Sequence, residues 1–597
     1  MIPPITKQRC EYLRMLAKQR FQRCIPTWLD CGRWALPHRT KWMLSQMEGE
    51  RNNAHIVDAS HILALRSFVA GFLEGNTSAG RPWIRFGTSS EDLNDNPQNS
   101  LWLHRFTTRV LEVIGNSNFY NAAAIFYADF GVFNTGAHMI QERSDGQKNL
   151  FFHTMMPGSF FPLNNGFNEP TTMVREYSLT VKAIVETFGK KDKHGRYMWD
   201  NISPQVQKMY NDGNYTTIMT VVNIVTQNDE FDPSQPMILL NKPWLDVTYE
   251  LGGPGGQYYQ YAQEFGEISP DPFQTQRFLE VIGLTRKPFI VGKSDSGNNF
   301  EYGETGPTLN ALGLIKSANK KAIAGDQALE LMLRPPLQGP ASLRKSYITN
   351  AANSYVPLDP TSASQKGLRS IFDIHPDIAA LVQNVGDLRA QIGKLYYEDY
   401  LLYLTQNPKT RTAEETKEVV QEQQLVIGPM LQSLNLSYNV PLVEYVADYV
   451  LHDDPIMKQW PVPKALQGQY LRPEFISIFA QAQRAADLPS IQQYLGFVEQ
   501  VGQMQPAVFD KVNLDKIADI YEDRLFLPEG INRPQSQVDA QRQKAQAAQQ
   551  RQQMLEQTLP AMAGAAKDMG YQVPPGGAPG GAQQPLNMNP NGGGPPR

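Results

Sequence analysis

The sequence predicts an α+β fold that is predominantly helical. Three observations predict it. Apolar residues recur at helical spacing through the first quarter of the chain and again from Gly306 onward. Between them the period changes, and segments rich in Thr, Val, Ile and Tyr carry the mark of sheet. Beyond the sheet region, two long helical segments of matched length flank a linker rich in Pro, Gly and Ser.

The elements follow in order. Residues 5–35 read as helix, with Tyr12, Leu13, Leu16 and Phe21 set among Lys and Arg. Residues 58–74 read as a second, on Ile62, Leu63, Leu65, Phe68, Val69 and Phe72. A third spans 99–117 and a fourth 119–130, with Gly131 as its stop. Strands are expected over 137–142, 149–163 and 171–179, after which Thr180 caps a short helix that ends at Gly189. Residues 216–226 and 238–250 continue the sheet, and 270–282 reads as another short helix.

From Gly306-Pro307 a helix runs to Pro335-Pro336, because proline is favourable in the first turn and prohibitive inside. It lacks a clean apolar stripe and carries small residues instead: Ala311, Gly313, Ala318, Ala322, Ala324, Gly325 and Ala328. Such a helix has neighbours on more than one side. The next runs over 377–403 with a heptad seam of Ile378, Leu381, Val385, Leu388, Ile392, Leu395 and Leu402, broken only at Asp399. At 1.5 Å per residue each helix comes to roughly 40 Å, which suggests an antiparallel pair with a protruding tip at 335–372. A polar loop, 405–412, leads into a third helix that opens on a capping box of Thr412 and Glu415. That helix carries Val419, Val420, Val426, Ile427, Met430 and Leu434, and Gly428-Pro429 should kink it. Short helices are expected at 474–487, 490–503 and 514–525. From about Pro534 the chain is Gln- and Ala-rich, compatible with helix, and then Pro- and Gly-rich, a composition that cannot build a core.

Composition narrows the function. With 597 residues the chain exceeds one compact core, and a net charge of −4 gives no global basic field. The three cysteines, Cys10, Cys24 and Cys31, form no CxxC pair, so no disulfide scaffold or zinc site is expected and a reducing compartment fits. The polar N-terminus lacks the apolar core of a signal peptide, and no apolar stretch approaches the ~20 residues of a membrane span.

Catalytic patterns are missing. Ile290-Val-Gly-Lys-Ser294 resembles the end of a phosphate-binding loop, but the pattern needs glycine at 287, which is lysine. Gly252-Gly-Pro-Gly-Gly256 reads as a turn, since proline removes a donor amide. The histidines are scattered without metal-ligand spacing, and no GxSxG elbow occurs. No metal or cofactor is expected, and an assembly role is favoured over catalysis. Basic residues gather in two places: Lys409 and Arg411 in the polar loop, and Arg344, Lys345, Lys366 and Arg369 in the tip segment against one acid, Asp359. Each group reads either as a solvated loop or as a contact for a phosphate backbone or an acidic partner.

An ordered set of phrases gives a more specific reading. It comprises Trp28, Trp34 and Leu36-Pro37; Val57-Asp58-Ala59; Ala70-Gly-Phe-Leu-Glu-Gly75; Arg81-Pro-Trp83; Ser117-Asn-Phe119; Asp129-Phe-Gly-Val-Phe-Asn-Thr-Gly136; Pro157-Gly158; Arg175-Glu-Tyr-Ser-Leu-Thr180; Glu301-Tyr-Gly-Glu-Thr-Gly-Pro307; Thr412-Ala-Glu-Glu415; and Pro441-Leu442. In these the chain resembles the head-to-tail connector, or portal, proteins of short-tailed bacteriophages (podoviruses), up to about residue 530. One departure is visible: family members often have a more basic entry to the first long helix, where this chain has Glu301 and Glu304.

The resemblance implies a homo-oligomeric ring, a dodecamer of about twelve subunits, at one capsid vertex. Double-stranded DNA passes through it during packaging and ejection. Residues 1–305 would be the wing, 306–334 the first stem helix, 335–374 the clip and 375–404 the second stem helix. Residues 405–412 would be the channel loop, 413–470 the kinked helix and return to the wing, 471–533 a crown, and 534–597 a largely disordered tail. Lys409 and Arg411 would contact DNA; Arg344, Lys345, Lys366 and Arg369 would meet clip partners; Leu381, Val385, Leu388, Ile392 and Leu395 would pack the stem. The implied partners are the packaging motor (terminase), tail or adaptor proteins, and the major capsid and scaffolding proteins, with no membrane. The chain would be made in the host cytoplasm and reside in the virion. The rival readings are another structural protein of the virion, such as an internal core or tail component, and a hydrolase built from scattered acids.

Overall fold

In the computed structural model of the chain, the described residues are 5–40, 53–142 apart from 95, 150–252 apart from 239, and 278–333 apart from 296, 298 and 299. They continue with 337–338, 369–370, 378–405, 427–476, 488–502, 512, 517, 538, 541–547 and 550. The chain divides into two compact units, one of residues 1–513 with 524–526 and one of residues 514–523 with 527–597. The described part of the second includes a helical run, 541–547, with exposed side chains.

The first unit opens with α1 (Lys7–Phe21), whose first turn is capped by Thr6, and α2 (Ile25–Ala35). The single helix expected over 5–35 is thus two. Pro26 has no amide to continue the first ladder and sits in the first turn of the second. Then come α3 (Ser60–Asn76), α4 (Pro97–Asn116) and α5 (Phe119–Phe133). Gly131 does not end α5. The helix runs on and closes on Asn134, which takes the left-handed conformation at φ 62°. Gly131 serves instead as a contact point: a Cβ there would lie 3.0 Å from the Phe68 ring of α3.

The chain then turns to sheet: β1 (Thr135–Glu142), β2 (Leu150–Thr154), β3 (Phe160–Asn164) and β4 (Pro170–Thr180). The strand expected over 149–163 is interrupted by a turn in which Gly158 adopts φ 86°. Thr180 accepts from the Ala183 amide and starts α6 (Val181–Phe188), followed by α7 (Pro204–Asn211). After β5 (Ile218–Gln227), β6 begins only at Trp244 and runs to Gly252, because Asn228 donates to the carbonyls of Leu240 and Lys242 and holds the preceding residues as a loop. The helix expected over 270–282 is corrected at its end. Glu280–Leu284 is a strand, β7, whose Val281 and Ile282 suit pairing with the edge of β6, while 270–277 lie outside the described residues. With β8 (Phe289–Lys293) two antiparallel sheets are complete, one of five strands in the order β7-β6-β5-β4-β3 and one of three in the order β8-β1-β2.

The second half is helical. The helix α8 spans Pro307–Leu333, and α9 spans Ile378–Leu395. The helix expected to continue to 403 breaks at Tyr396-Tyr397, where Tyr397 takes φ 58°, and resumes as α10 (Glu398–Thr405). Residues 406–426, with the expected capping box and most of the third long helix, lie outside the described residues. Helix resumes at 427, passes a π turn at Asn435–Asn439 and continues as α11 (Val440–His452). The helix expected from 474 is contradicted at its start. Arg472–Phe475 is a strand that pairs antiparallel with Ile84–Gly87, and the stacked rings of Trp83 and Phe475 hold that pair at the core. Last comes α12 (Leu488–Gly502).

One aromatic-rich core joins these elements. Phe126 of α5 stacks on Tyr438 of the π turn at 3.8 Å, and Trp28 meets Tyr302 edge-on at 5.2 Å. Each such fully buried ring contributes about 1.5–3 kcal/mol by removal from water. A satellite core of Val181, Ile184, Val185, Ile202, Val206 and Met219 seats α6 and α7 on the five-stranded sheet.

Candidate functional site

The most heavily braced place in the fold is the joint where α8 and α9 enter the core. It begins at the corner between α5 and β1. Asn134 turns the chain there, and its carbonyl accepts the Ser294 amide at 3.0 Å. Residues 301–307 pass so close over this corner that a Cβ at Gly303 or at Gly306 would overlap Asn134. The Gly303 amide donates to Thr135 Oγ1 at 2.8 Å, and Thr308 Oγ1 donates to the Gly131 carbonyl at 2.8 Å. Two of the quoted phrases, 129–136 and 301–307, are therefore the two halves of one joint. Glu301 is buried and ion-paired with Arg20, so this acidic departure from the family pattern is internally satisfied.

A second brace lies under the joint. Asp129 of α5 is fully buried, and Arg39 donates to its carboxylate and to the Met155 carbonyl. Burial pushes the Asp129 carboxyl up to about 6 in spite of the guanidinium beside it.

From the joint α8 and α9 run antiparallel. Thr308 meets Tyr396, Lys321 donates to Asn384, and Gly325 gives room to Leu381, so the register descends one helix as it climbs the other. Of the five seam residues expected to pack, Val385 and Ile392 are buried, and Leu381, Leu388 and Leu395 are half-buried. The phrase Val57-Asp58-Ala59 lashes this pair from the side. Asn319 Oδ1 accepts both the Val57 amide at 2.8 Å and the Asp58 amide at 2.9 Å. Asp58 in turn accepts from Arg389 of α9 at 3.3 Å. Burial raises the Asp58 carboxyl, but the Ser60 amide and Arg389 outweigh it and hold it below the usual range. The α10 segment is docked on α3, where a Cβ at Gly71 would lie 2.6 Å from Leu401.

Farther from the joint, apolar side chains are exposed among the described residues: Ile323, Leu329, Met332 and Leu333 of α8 and Val382 of α9. Leu337–Gln338 and Arg369–Ser370 pair as short antiparallel strands beyond α8. Of the basic residues singled out in the sequence, Arg369 lies in that strand, whereas Arg344, Lys345, Lys366, Lys409 and Arg411 lie outside the described residues. Sequence reading missed Asn319, Thr308 and Tyr396. The available signal was a lone amide at 319 among small residues of a helix.

Lys293 ends β8 and donates to Asn168 Oδ1 and the Phe300 carbonyl, both at 3.0 Å, so the loop-like phrase 290–294 is strand as far as 293 and not a phosphate cradle. His55 and His61 bond the carbonyls of Arg33 and Trp34. Among the described residues no three His, Cys, Asp or Glu side chains are grouped to hold a metal ion, and no helix is long and apolar enough to cross a membrane. The arrangement is mechanical: a lever of two helices clamped at one end.

Comparison with known proteins agrees in extent. The profile of the family described as bacteriophage head to tail connecting protein matches residues 7–263 and 259–531. The portal protein of Salmonella phage epsilon15 is 29% identical over 529 residues, covering 87% of this chain and 88% of that protein. The probable portal protein of Bordetella phage BPP-1 is 28% identical over 530 residues, covering 88% and 89%.

Proposed function

The chain belongs to the bacteriophage head to tail connecting protein family, and on that premise we propose that it is the subunit of a portal ring of about twelve copies at one capsid vertex. The ring is the conduit for double-stranded DNA in packaging and ejection. It docks the packaging motor first and tail proteins afterwards, and the motor, not this chain, hydrolyses ATP. Capsid and scaffolding proteins surround it. Residues 1–305 form the wing, α8 and α9 the stem, 335–374 the clip, 405–412 the channel loop, and 471–533 the crown.

The observation that carries this reading is the clamped helix pair with apolar side chains exposed at its free part. Exposed Ile323, Leu329, Met332, Leu333 and Val382 leave apolar surface that a monomer would hold in water at a cost of about 25 cal/mol per Å². Adjacent copies in a ring cover it, and the small residues on α8 permit close approach. Gly313 has nothing within 4 Å of an added Cβ, so that side of α8 is open. Electron microscopy of the purified chain tests this: closed rings with an axial hole are expected, and filaments, sheets or persistent monomers would sink the reading in favour of another virion component.

A further inference from the structure

We propose that the hairpin 189–198 is a sequence-independent contact for the phosphate backbone of double-stranded DNA. The inference rests on the connector reading only in naming duplex DNA as the polyanion present.

The hairpin is short and internally hydrogen-bonded. Lys190–Lys191 pairs antiparallel with Tyr197–Met198. The Asp192 amide donates to the Arg196 carbonyl at 2.8 Å, and Gly195 turns the chain at φ 76°. The hairpin's one carboxylate, Asp192, holds the turn, its Oδ1 accepting the amides of His194 and Arg196, each at 2.8 Å, and against the four cations it leaves a formal charge of +3. The base is equally held. Asn201 Nδ2 donates to the Phe188 carbonyl at 2.7 Å and to the Leu279 carbonyl at 2.8 Å. At Gly189 a Cβ would overlap the Val185 carbonyl, so the chain can enter the hairpin this tightly only with glycine.

What this frame presents is positive charge. Lys190, Lys191, Lys193 and Arg196 are all exposed. Among the described residues none of the four is in an ion pair, although Glu280 on the neighbouring strand feels the charge of Lys190. Lys191 also lies 4.9 Å from the Tyr197 ring centroid, which steadies its stem. Four cations on about ten residues are unusual in a chain of net charge −4.

The choice between DNA and an acidic protein follows from the apolar side chains. A stable protein interface is centred on aromatic or aliphatic anchors. Here the aromatics of the region are spent inward: Tyr197 packs on Trp199 at 6.1 Å and on Tyr210 at 5.9 Å, and all three are half-buried against the satellite core. Charge without an apolar centre suits a backbone of phosphates, and a two-stranded ribbon fits a major groove about 12 Å wide.

The test uses the full chain in its assembled form and a relaxed, covalently closed circular duplex, which cannot be threaded through a closed ring. Binding is measured against NaCl concentration for the parent and for the Lys190→Ala, Lys191→Ala, Lys193→Ala, Arg196→Ala variant. The parent should bind, and the variant should bind at least tenfold more weakly, with the slope of log K against log salt reduced by about 3 to 4 for each hairpin that contacts the duplex. A variant carrying Lys193→Ala and Arg196→Ala alone should lose about half that slope, which guards against misfolding of the fourfold variant. Unchanged affinity and slope in a variant that melts like the parent overturns the proposal. So does loss of poly-glutamate binding with circle binding retained, which would make the occupant an acidic protein. Absence of rings in micrographs would strike the connector reading and leave the circle-binding result to stand alone.

Discussion

Thr308 and Tyr396 share a hydrogen bond of 2.7 Å between their hydroxyl oxygens, at the point where α8 and α9 leave the core. Thr308 has one hydroxyl hydrogen and gives it to the Gly131 carbonyl, so the tyrosine is the donor of the pair. The bond ties the first turn of α8 to the residue just past the end of α9, and both to α5.

Removing one hydroxyl at a time should separate the two contacts. Tyr396→Phe leaves the bond to Gly131 intact and should cost about 1 kcal/mol. Thr308→Val orphans both the Gly131 carbonyl and the buried tyrosine hydroxyl and should cost about 2–4 kcal/mol. Apparent melting temperatures of the two variants check this, and an equal drop would mean the tyrosine bond dominates.

Alanine should act in opposite directions at two helical glycines. At Gly71 the new Cβ meets Leu401 at 2.6 Å, and overpacking of this kind costs about 1–3 kcal/mol. At Gly115 it meets nothing, so Gly115→Ala should stabilise by about 0.5–1 kcal/mol through helix propensity. Urea midpoints of the two variants give the signs.

Acid sensitivity should trace partly to His138. It is fully buried beside the stacked rings of Phe126 and Tyr438, and burial pushes it down to about 3. Below its ordinary value of 6.5 the unfolded chain takes up a proton that the folded chain refuses. Stability is therefore present above pH 6.5 and is lost, at up to about 1.4 kcal/mol per unit, as pH falls toward 3. Asp129, raised by burial, acts in the opposite sense: its contribution is full below its unfolded value and lost as pH rises through about 6. Subtracting the melting profile of His138→Phe from that of the parent isolates the histidine. The difference should move steadily against the parent as pH falls below 6.5, and a flat difference refutes the assignment.

In the proposed ring, Lys409→Ala with Arg411→Ala should leave particles intact and impair DNA packaging or retention. Arg344→Glu with Lys345→Glu should weaken motor or tail docking. Packaging and docking assays read these directly, and normal packaging in the first variant removes the loop from the mechanism.

Much of the helical framework was legible because its signals are local. Pro307 opens α8, and Thr180 and Gly189 bound α6. The break at Tyr397 was not legible. Tyrosine carries no helix-stop signal, and the heptad pattern runs up to it. The left-handed turn is imposed by tertiary packing, with Tyr396 buried against Thr308 and Glu398 bonded by Ser67. Gly131 misled for the complementary reason: a glycine near a helix end looks like a stop, but here it is a contact for Phe68 and the stop is Asn134. The strands at 280–284 and 472–475 draw their pairing from residues far along the chain, which a local reading does not weigh. At the site, the phrases that meet at the joint were visible one by one, but that they touch was not.

The clamp at Asn134, Gly303 and Gly306 has a geometric consequence. Past its lash at Asn319, α8 runs on for 14 residues, a lever arm of about 21 Å. At that length one degree of play moves the far end by roughly 0.4 Å. In a closed ring of such levers, a methyl group's worth of slack at three residues would set the bore of the aperture.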